Sequence, residues 1–334
     1  MREALESILG GRDLGAARMR EAFGEILEGR ATAAQIAAFA VALRMKGESE
    51  EELAAAAEEM RARCVRVRSP APVVLDTCGT GGDGAGTFNV STAAAFVVAA
   101  SGVVVAKHGN RAVSSKAGSA DVLEALGVRV DLQPADQEAL LCEIGIAFLF
   151  APAHHPALRH AAAARKELGV RTFFNLLGPL ASPAFATHQL LGLYDPARLA
   201  QIARVLGRLG TRRAMVVHGG GLDEVAPSGP TRVAELDGGS VRETELSPRD
   251  FGIAEHPIGE IAGGDASTNA RIIEDVLAGQ PGPHRDMTIL NAAAALMAAE
   301  VTQEPREAAR RAAEAIDSGA ATAKLAALRA FAAR

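Results

Sequence analysis

The apolar residues in the N-terminal part of the chain have the spacing of amphipathic helices. They recur at intervals of three and four over Met19–Leu27 and again over Ile36–Leu43, which makes one face of each segment apolar at the helical period. Ser49 followed by Glu52 is a capping box, and it predicts a third helix that continues through Arg61. We therefore expect the chain to begin with a small, all-helical domain.

A short, stiff linker, Ser69–Pro72, separates these helices from a different pattern. Beyond it, short apolar runs typical of buried strands alternate with helical stretches. Such alternation predicts a larger α/β domain with a mostly parallel central sheet flanked by helices. The predicted strands are Val73–Leu75, Val103–Ala106, Val128–Val130, Ile146–Phe150, Leu190–Leu193 and Ala214–Val217. The predicted helices between them are Thr92–Ala100, Ala120–Leu126, Ala135–Ile144 and Pro196–Leu209.

Two parts of the remaining chain depart from this alternation. Thr231–Leu236 and Val241–Leu246 predict an antiparallel hairpin, because a glycine-containing turn joins two runs of strand type. The segment Arg171–Pro183 has no strand pattern and contains two X-Pro turns. We therefore expect a helical insert at about 155–185 to leave the α/β domain of residues 73–334 and to join the helical domain of residues 1–70. The C-terminal segment is helical again.

Composition and charge narrow the classes of function. The net charge is −5 with a pI near 6.0, and the chain has no Trp and a single tyrosine, Tyr194. Neither a basic field nor a base-stacking surface is expected, so nucleic acid and anionic membranes are poor candidates as partners. The three cysteines, Cys64, Cys78 and Cys142, lack a metal-ligand spacing. They favour a reducing cytoplasm over a disulfide scaffold.

A glycine-rich loop, Gly79–Gly84, follows the first predicted strand and precedes a helix that opens at Asn89–Thr92. Glycines allow backbone N–H groups to approach an anion, and the N-terminus of a helix adds unpaired donors, so this order suits a phosphate. The spacing is neither G-x-G-x-x-G nor that of a P-loop. A purely structural turn is the alternative, although Asp83 within the loop favours a ribose or metal contact.

A second polar loop follows the next predicted strand. Residues 107–119 contain three Lys or Arg side chains, three serines and two glycines. Because open parallel sheets bind ligands at the carboxyl ends of their strands, we expect this loop to lie beside Gly79–Gly84. The alternative is an ordinary solvated basic loop.

Two further features could complete a binding site. Asp223 and Glu224 follow the strand Ala214–Val217 and a run of glycines, and paired carboxylates next to a polyphosphate suit Mg²⁺. Arg165, on a predicted helix that begins near His154 and His155, could hold a carboxylate in a bidentate fork. The alternatives are surface charge for the carboxylates and a solvated helix position for Arg165.

Taken together, these segments resemble the anthranilate phosphoribosyltransferase family over essentially the whole chain. The matching motifs occur in the family's order and are GTGGDG (79–84), FNVST (88–92), KHGNRAVSSKAGSAD (107–121), HHPALRHAAAARKELGVRTFFNLLGPL (154–180) and HGGGLDE (218–224). The resemblance implies transfer of the phosphoribosyl group of phosphoribosyl pyrophosphate (PRPP) to the amine of anthranilate, with Mg²⁺ as cofactor. It also implies a homodimer and a helical domain built from N-terminal and central helices.

The resemblance assigns site residues one by one. Those implied to contact PRPP are Gly79, Gly82, Asp83, Thr87, Asn89, Val90, Ser91, Thr92, Lys107, His108, Gly109, Asn110, Arg111, Ala112, Val113, Ser114, Ser115 and Ser119. Those implied to bind Mg²⁺ are Ser91, Asp223 and Glu224, and those implied to meet anthranilate are Gly79, His108, Asn110, His155 and Arg165. Lys107, Asn110 and Arg165 would serve catalysis by neutralising charge and positioning the substrates. The same resemblance implies that Pro179 lines the path of anthranilate, and Leu158 replaces an aromatic residue that some relatives carry.

Two other functions are compatible with parts of this pattern. A pyrimidine nucleoside phosphorylase would share the overall fold and handle phosphate, but its glycine and lysine loops differ from the intact GTGGD run. A nucleic-acid-binding relative would be expected to lose the PRPP loop and gain basic surface, which the acidic pI near 6.0 opposes.

Overall fold

The computed structural model describes residues 1–81, 84–112 and 116–332. The chain begins with four helices, which are α1 (Arg2–Leu9), α2 (Gly15–Leu27), α3 (Ala33–Lys46) and α4 (Glu50–Ala62). The predicted capping box of Ser49 and Glu52 opens α4, and a second one, of Thr32 and Gln35, opens α3. Each box satisfies two backbone N–H groups that the helix itself leaves unpaired.

In the described part of the chain, seven strands form one sheet. They are β1 (Val74–Gly79), β2 (Val104–Gly109), β3 (Ile146–Phe150), β4 (His188–Gly192), β5 (Arg213–Gly219), β6 (Thr231–Asp237) and β7 (Ser240–Leu246). Their spatial order is β3-β2-β1-β4-β5-β6-β7, and the first five are parallel. β6 and β7 pair in antiparallel fashion, so the predicted hairpin is confirmed. The mostly parallel sheet of the predicted fold class is confirmed as well.

The predicted strand Val128–Val130 is wrong. These residues follow helix α6 (Ser119–Ala125) and belong to no strand, because the backbone completes the end of that helix instead. The N–H of Val128 donates to the carbonyl of Leu123 at 2.8 Å, and the N–H of Gly127 donates to that of Glu124 at 2.9 Å. Gly127, with φ of +76°, makes the left-handed turn that this arrangement requires. Val128 and Val130 are apolar because they are buried.

Eleven α-helices, α6 among them, lie within residues 84–112 and 116–332. They are α5 (Val90–Ala100), α6 (Ser119–Ala125), α7 (Pro134–Glu143), α8 (Ala151–His154), α9 (Arg159–Leu168), α10 (Phe173–Leu180), α11 (Leu199–Arg208), α12 (Ala266–Leu277), α13 (Pro283–Ala298), α14 (Pro305–Asp317) and α15 (Ala320–Ala332). Among the described residues, no helix combines the length and apolar character needed to cross a membrane.

The sheet separates two hydrophobic cores. Successive side chains of a strand point to opposite faces, so Leu190 of β4 and Met215 of β5 pack with α5 and with α12–α15. Their neighbours Leu191 and Val216 pack on the other face with α11 and with the helices at the N-terminus. Helix α13 is buried along most of its length, which explains why its sequence is apolar on all sides.

Helices α9 and α10 pack on the N-terminal helices. The ring of Phe173 on α10 lies edge-on to Phe23 of α2, with centroids 5.6 Å apart, and to Phe39 of α3, at 5.8 Å. Arg61 at the end of α4 donates to the carbonyl of Leu180 at 2.9 Å. The central segment therefore shares a core with the start of the chain. The domain boundaries proposed from the sequence stay a prediction.

Phe173→Ala should lower the free energy of unfolding by about 3–5 kcal/mol, because it empties a fully buried position between three helices. Denaturant titration followed by circular dichroism measures this loss. Val170→Ala, at a position that is 54% exposed in the same segment, is the matched control and should change it by less than about 0.5 kcal/mol. Equal effects of the two substitutions would contradict the shared core.

Candidate active site

The polar loops meet where the order of the strands reverses. Within the sheet, β2 and β3 lie on one side of β1, whereas β4 and β5 lie on its other side. Gly79 and Gly192, the last residues of β1 and β4, are register partners across this switch point. Because all five strands are parallel, their carboxyl ends share one edge, and crevices of this kind bind ligands. The strands that precede the three polar segments, β1, β2 and β5, therefore end at one edge of the sheet, as expected.

Two glycines make room for the turn that carries Asp223. A Cβ atom on Gly79 would overlap the carboxylate of Asp223, and one on Gly192 would overlap its carbonyl group. The N–H of Gly81 donates to Oδ2 of Asp223 at 2.6 Å. The buried Asn291 of α13 accepts the N–H of Val225 at 2.9 Å and donates to the carbonyl of Val225 at 3.1 Å. The acidic pair is thus held against the start of the glycine loop.

Lys107 places a buried ammonium group beside this turn. Its Nζ donates to the carbonyl of Thr77 at 2.5 Å and to Oγ of Ser91 at 3.1 Å. Burial lowers the pKa of Lys107, and the nearby carboxylates of Asp76 and Glu224 act in the opposite direction. These are the two acceptors that the described residues offer to this ammonium, whose positive charge suits an anion.

Asp76 is a site residue that the sequence analysis missed. It is fully buried on β1, and its Oδ1 accepts the N–H of His108 at 3.0 Å. Burial raises the pKa of Asp76 to about 7, against the opposing effects of that hydrogen bond and of Lys107. The sequence did carry a signal for this role. A carboxylate directly after the apolar run Val73–Leu75 is expected to be buried and therefore to need polar partners.

Helix α6 holds the described part of the second loop. The carbonyl of Asn110 accepts from Oγ of Ser119 at 3.3 Å, and Asp121 accepts the N–H of Ala112 at 2.9 Å. The guanidinium of Arg111, an implied PRPP contact, pairs with Glu124 at 2.6 Å and with Asp121 at 3.0 Å. The structure thus brings the backbone of the loop to the site, while the side chain of Arg111 is engaged by α6.

The other implied PRPP contacts divide into two groups. Thr87 and Asn89 precede α5, Val90, Ser91 and Thr92 form its first turn, and Gly109 ends β2. The first turn of α5 lies beside the same strand ends, since Ser91 contacts Thr77 and Lys107, and the positive end of the helix dipole there suits an anion. The second group lies outside the described residues and consists of Gly82, Asp83, Val113, Ser114 and Ser115.

The segment at 155–185 forms a wall next to the end of β2. The rings of His108 and His155 lie 5.3 Å apart, and Nδ1 of His108 is 3.2 Å from the carbonyl of Gly178, which precedes Pro179. Burial lowers the pKa of His108 well below its usual value and that of His155 to about 4. Both rings are therefore neutral at pH 7 and can pack against an aromatic ligand or exchange one hydrogen bond with it.

Arg165 is a partly buried cation on this wall. Its guanidinium carbon lies 5.0 Å from the centre of the Phe174 ring, and burial lowers its pKa. In the described part of the chain no carboxylate pairs with it, in contrast to Arg111. The guanidinium stacks on an aromatic ring, and no described carboxylate uses its hydrogen-bonding fork. This arrangement suits the carboxylate of a planar ligand.

The sequence as a whole matches one enzyme family. Residues 71–322 match the glycosyl transferase family, a/b domain, and residues 2–64 match the glycosyl transferase family, helical bundle domain. The anthranilate phosphoribosyltransferase of Anaeromyxobacter sp. (strain Fw109-5) is 55% identical over 328 residues, which cover 98% of this chain and 97% of that protein.

Solved structures give the same result. The crystal structure of anthranilate phosphoribosyltransferase from Thermus thermophilus has a TM-score of 0.94 and 42% identity, and the match covers 99% of both chains. The enzyme from Saccharomyces cerevisiae in complex with PRPP and Mg has a TM-score of 0.91 and 30% identity, with 99% of this chain and 97% of that chain covered. The predicted fold class, a helical domain and a larger α/β domain, is confirmed.

Burial of His155 should make the protein less stable in acid. Folding lowers the pKa of His155 from about 6.5 to about 4, so in that window the unfolded chain binds the extra proton and the free energy of unfolding falls as the pH falls. One such group contributes at most about 1.4 kcal/mol per pH unit. His155→Gln should therefore give a shallower decline in denaturant titrations between pH 6.5 and 4. The same change at the exposed His160 is the matched control, and parallel curves for wild type and His155→Gln would refute the assignment.

Proposed function

The chain belongs to the anthranilate phosphoribosyltransferase family, and from that premise we propose how its site works. The protein transfers the phosphoribosyl group of PRPP to the amine of anthranilate and releases pyrophosphate, which makes it a pentosyltransferase of tryptophan biosynthesis. The observation that carries the proposal is that the segment at 155–185, which contacts the end of β2 through His108 and Gly178, also carries a partly buried Arg165 that pairs with no carboxylate of the described residues. The strand ends suit a pyrophosphate, and Arg165 suits an aromatic carboxylate.

The pyrophosphate would bind at the carboxyl ends of β1 and β2. Lys107 offers a buried positive charge there, and the N-terminus of α5 adds the positive end of its helix dipole. Such preorganised groups stabilise the charge that develops on the leaving group, and they do so most strongly where water is excluded. Lys107 is thus proposed as a catalytic residue.

The residues at this edge fit a magnesium ion. Asp223, Glu224 and Ser91 present carboxylate and hydroxyl oxygens, which are the ligands that Mg²⁺ prefers, and Asp223 occupies the space that the missing Cβ of Gly79 leaves. Among the described residues there is no cluster of three His, Cys, Asp or Glu side chains, so oxygens of PRPP would have to complete the ligand set. When bound, Mg²⁺ would neutralise charge on the pyrophosphate oxygens.

Anthranilate would bind between the loops and the segment at 155–185. Arg165 would hold its carboxylate, while the neutral rings of His108 and His155 pack near the aromatic ring and exclude water. Asn110 and Gly79 lie at the strand ends between the two substrates. Leu158 and Pro179 would line the apolar side of this pocket, as the family resemblance implies.

The reaction needs positioning more than proton transfer. The nitrogen lone pair of anthranilate attacks C1 of the ribose, the bond from C1 to the pyrophosphate oxygen breaks, and the configuration at C1 inverts. The aromatic amine is neutral at pH 7 and loses its proton after the new bond forms, so no side chain has to act as a general base. Arg165 and Asn110 act by orienting the two substrates.

Two further properties are proposed from the family alone and from composition. The protein is expected to form a homodimer, which light scattering would test. A cytoplasmic location agrees with three free cysteines.

Loss of anthranilate fluorescence on mixing with PRPP and Mg²⁺ tests the proposed function. We expect turnover that a chelator abolishes and that added Mg²⁺ restores. Asp223→Asn keeps an acceptor for the N–H of Gly81 but loses a charge, so it should raise the Mg²⁺ concentration for half-maximal rate by about ten-fold or more.

The exposed Asp237→Asn is the matched control for that substitution and should behave as wild type. Turnover that is unaffected by the chelator would refute the magnesium site. No loss of anthranilate, together with phosphate-dependent release of base from thymidine, would favour the phosphorylase alternative.

Arg165→Ala should raise the KM for anthranilate by about ten-fold or more and leave the KM for PRPP almost unchanged. A bidentate, charge-assisted pair is worth about 1.5–3 kcal/mol, and alanine removes both of its hydrogen bonds. Steady-state kinetics with each substrate varied in turn measure the effect. Lys166→Ala, at the exposed neighbouring position, is the control. An unchanged KM for anthranilate would rule out the carboxylate clamp.

A further inference from the structure

A chain of side-chain amides connects helix α12 to both phosphate loops. Asn269 of α12 is 2% exposed, and its Oδ1 accepts the N–H of Gly264 at 2.7 Å. Its Nδ2 donates to Oδ1 of Asn89 at 2.9 Å, and Nδ2 of Asn89 donates to the carbonyl of Ala117 at 3.3 Å. Asn89 stands at the start of α5 after the glycine loop, and Ala117 belongs to the second loop.

Backbone groups set the direction of this chain at both ends. The N–H of Gly264 can only donate, so it requires the oxygen of the Asn269 amide. The carbonyl of Ala117 can only accept, so it requires the nitrogen of the Asn89 amide. With both ends fixed, the middle hydrogen bond can run only from Asn269 to Asn89.

The segment before α12 also contacts the residues between the glycine loop and α5. The N–H of Phe88 donates to the carbonyl of Ile261 at 3.3 Å, and the N–H of Gly263 donates to the carbonyl of Gly86 at 2.8 Å. A Cβ on Gly263 would come within 2.7 Å of both the Phe88 backbone and Oδ1 of Asn269. Helix α12 and the loop before it therefore form one unit with the residues around Asn89.

We propose that Asn269 is a positioning residue for PRPP, which holds the Asn89 amide with its NH₂ group toward the two phosphate loops. The proposal rests on the proposed function, in which the pyrophosphate binds between these loops. In this orientation Asn89 offers a donor to the anion. In the reversed orientation it would offer an oxygen, which an anion repels. Asn269 itself needs no contact with the substrate.

Asn269→Asp tests the direction of the relay, because it keeps the shape of the side chain but replaces its donor with an acceptor. We expect it to raise the KM for PRPP by about ten-fold or more, since a donor to a charged group is lost and an acceptor takes its place. Asn269→Ala should raise this KM less, by about three-fold, because it leaves Asn89 free to keep its orientation. The KM for anthranilate should change by less than about two-fold in both variants.

The order of the two variants separates positioning from packing. If Asn269 only filled space, alanine would be the more harmful change, and that order would overturn the proposal. Asp265→Ala is the matched control, because Asp265 is exposed and caps the same helix by accepting the N–H of Thr268 at 2.8 Å. It should change the KM for PRPP by less than about two-fold, and an effect as large as that of Asn269→Asp would also overturn the proposal.

A double-mutant cycle keeps the proposal testable if Asn269→Asp does not fold. Asn89→Ala should remove most of the effect of Asn269→Ala on the KM for PRPP, since Asn269 acts through Asn89. Additive effects would overturn the relay. A wild-type protein that does not consume anthranilate with PRPP and Mg²⁺ would refute the proposed function, whereas an active wild type with additive variants would refute the relay alone.

Discussion

The contact between the Asp223 turn and the two glycines at the end of β1 and β4 is the constraint on which the site depends. No residue with a Cβ fits at Gly79 or Gly192 without displacing Asp223. This close approach lets the acidic pair sit at the point where the strand order reverses. It therefore brings together three separate parts of the chain: the glycine loop, the second polar loop at 107–119 and the turn that carries Asp223.

The ionisable groups around this contact are buried, and each has at least one hydrogen-bond partner, although burial still raises the pKa of Asp76 to about 7. Lys107 donates hydrogen bonds to Thr77 and Ser91. Asp76 accepts the N–H of His108. A buried charge without such partners would cost several kcal/mol. The wall formed by the segment at 155–185 differs. His108 and His155 are buried there in neutral form, and no described carboxylate pairs with Arg165. That difference matches the two roles proposed here, an anion site at the strand ends and a pocket for an aromatic acid beside it.

Local patterns in the sequence predicted most helices and strands, but an apolar run did not always form a strand. The helical faces at Met19–Leu27 and Ile36–Leu43 and the strands that precede each polar loop were predictable, since periodicity and capping act over a few residues. Val128–Val130 has the same apolar character as a strand, yet its backbone completes the end of α6. Asp76 and Gly192 were missed because their roles depend on partners far away in sequence.

The sequence by itself determined the classes of element, their order and the chemistry at three strand ends, because side-chain spacing, glycine turns and helix caps are local properties. Tertiary structure alone decided that the strand order reverses between β1 and β4, that Asp223 lies against Gly79 and Gly192, and that α12 reaches Asn89. The strand pairing, the Gly81–Asp223 hydrogen bond and the Asn89–Asn269 hydrogen bond all join residues that are far apart in the chain. Such pairs are selected by which buried surfaces fit together, and no local spacing encodes that fit.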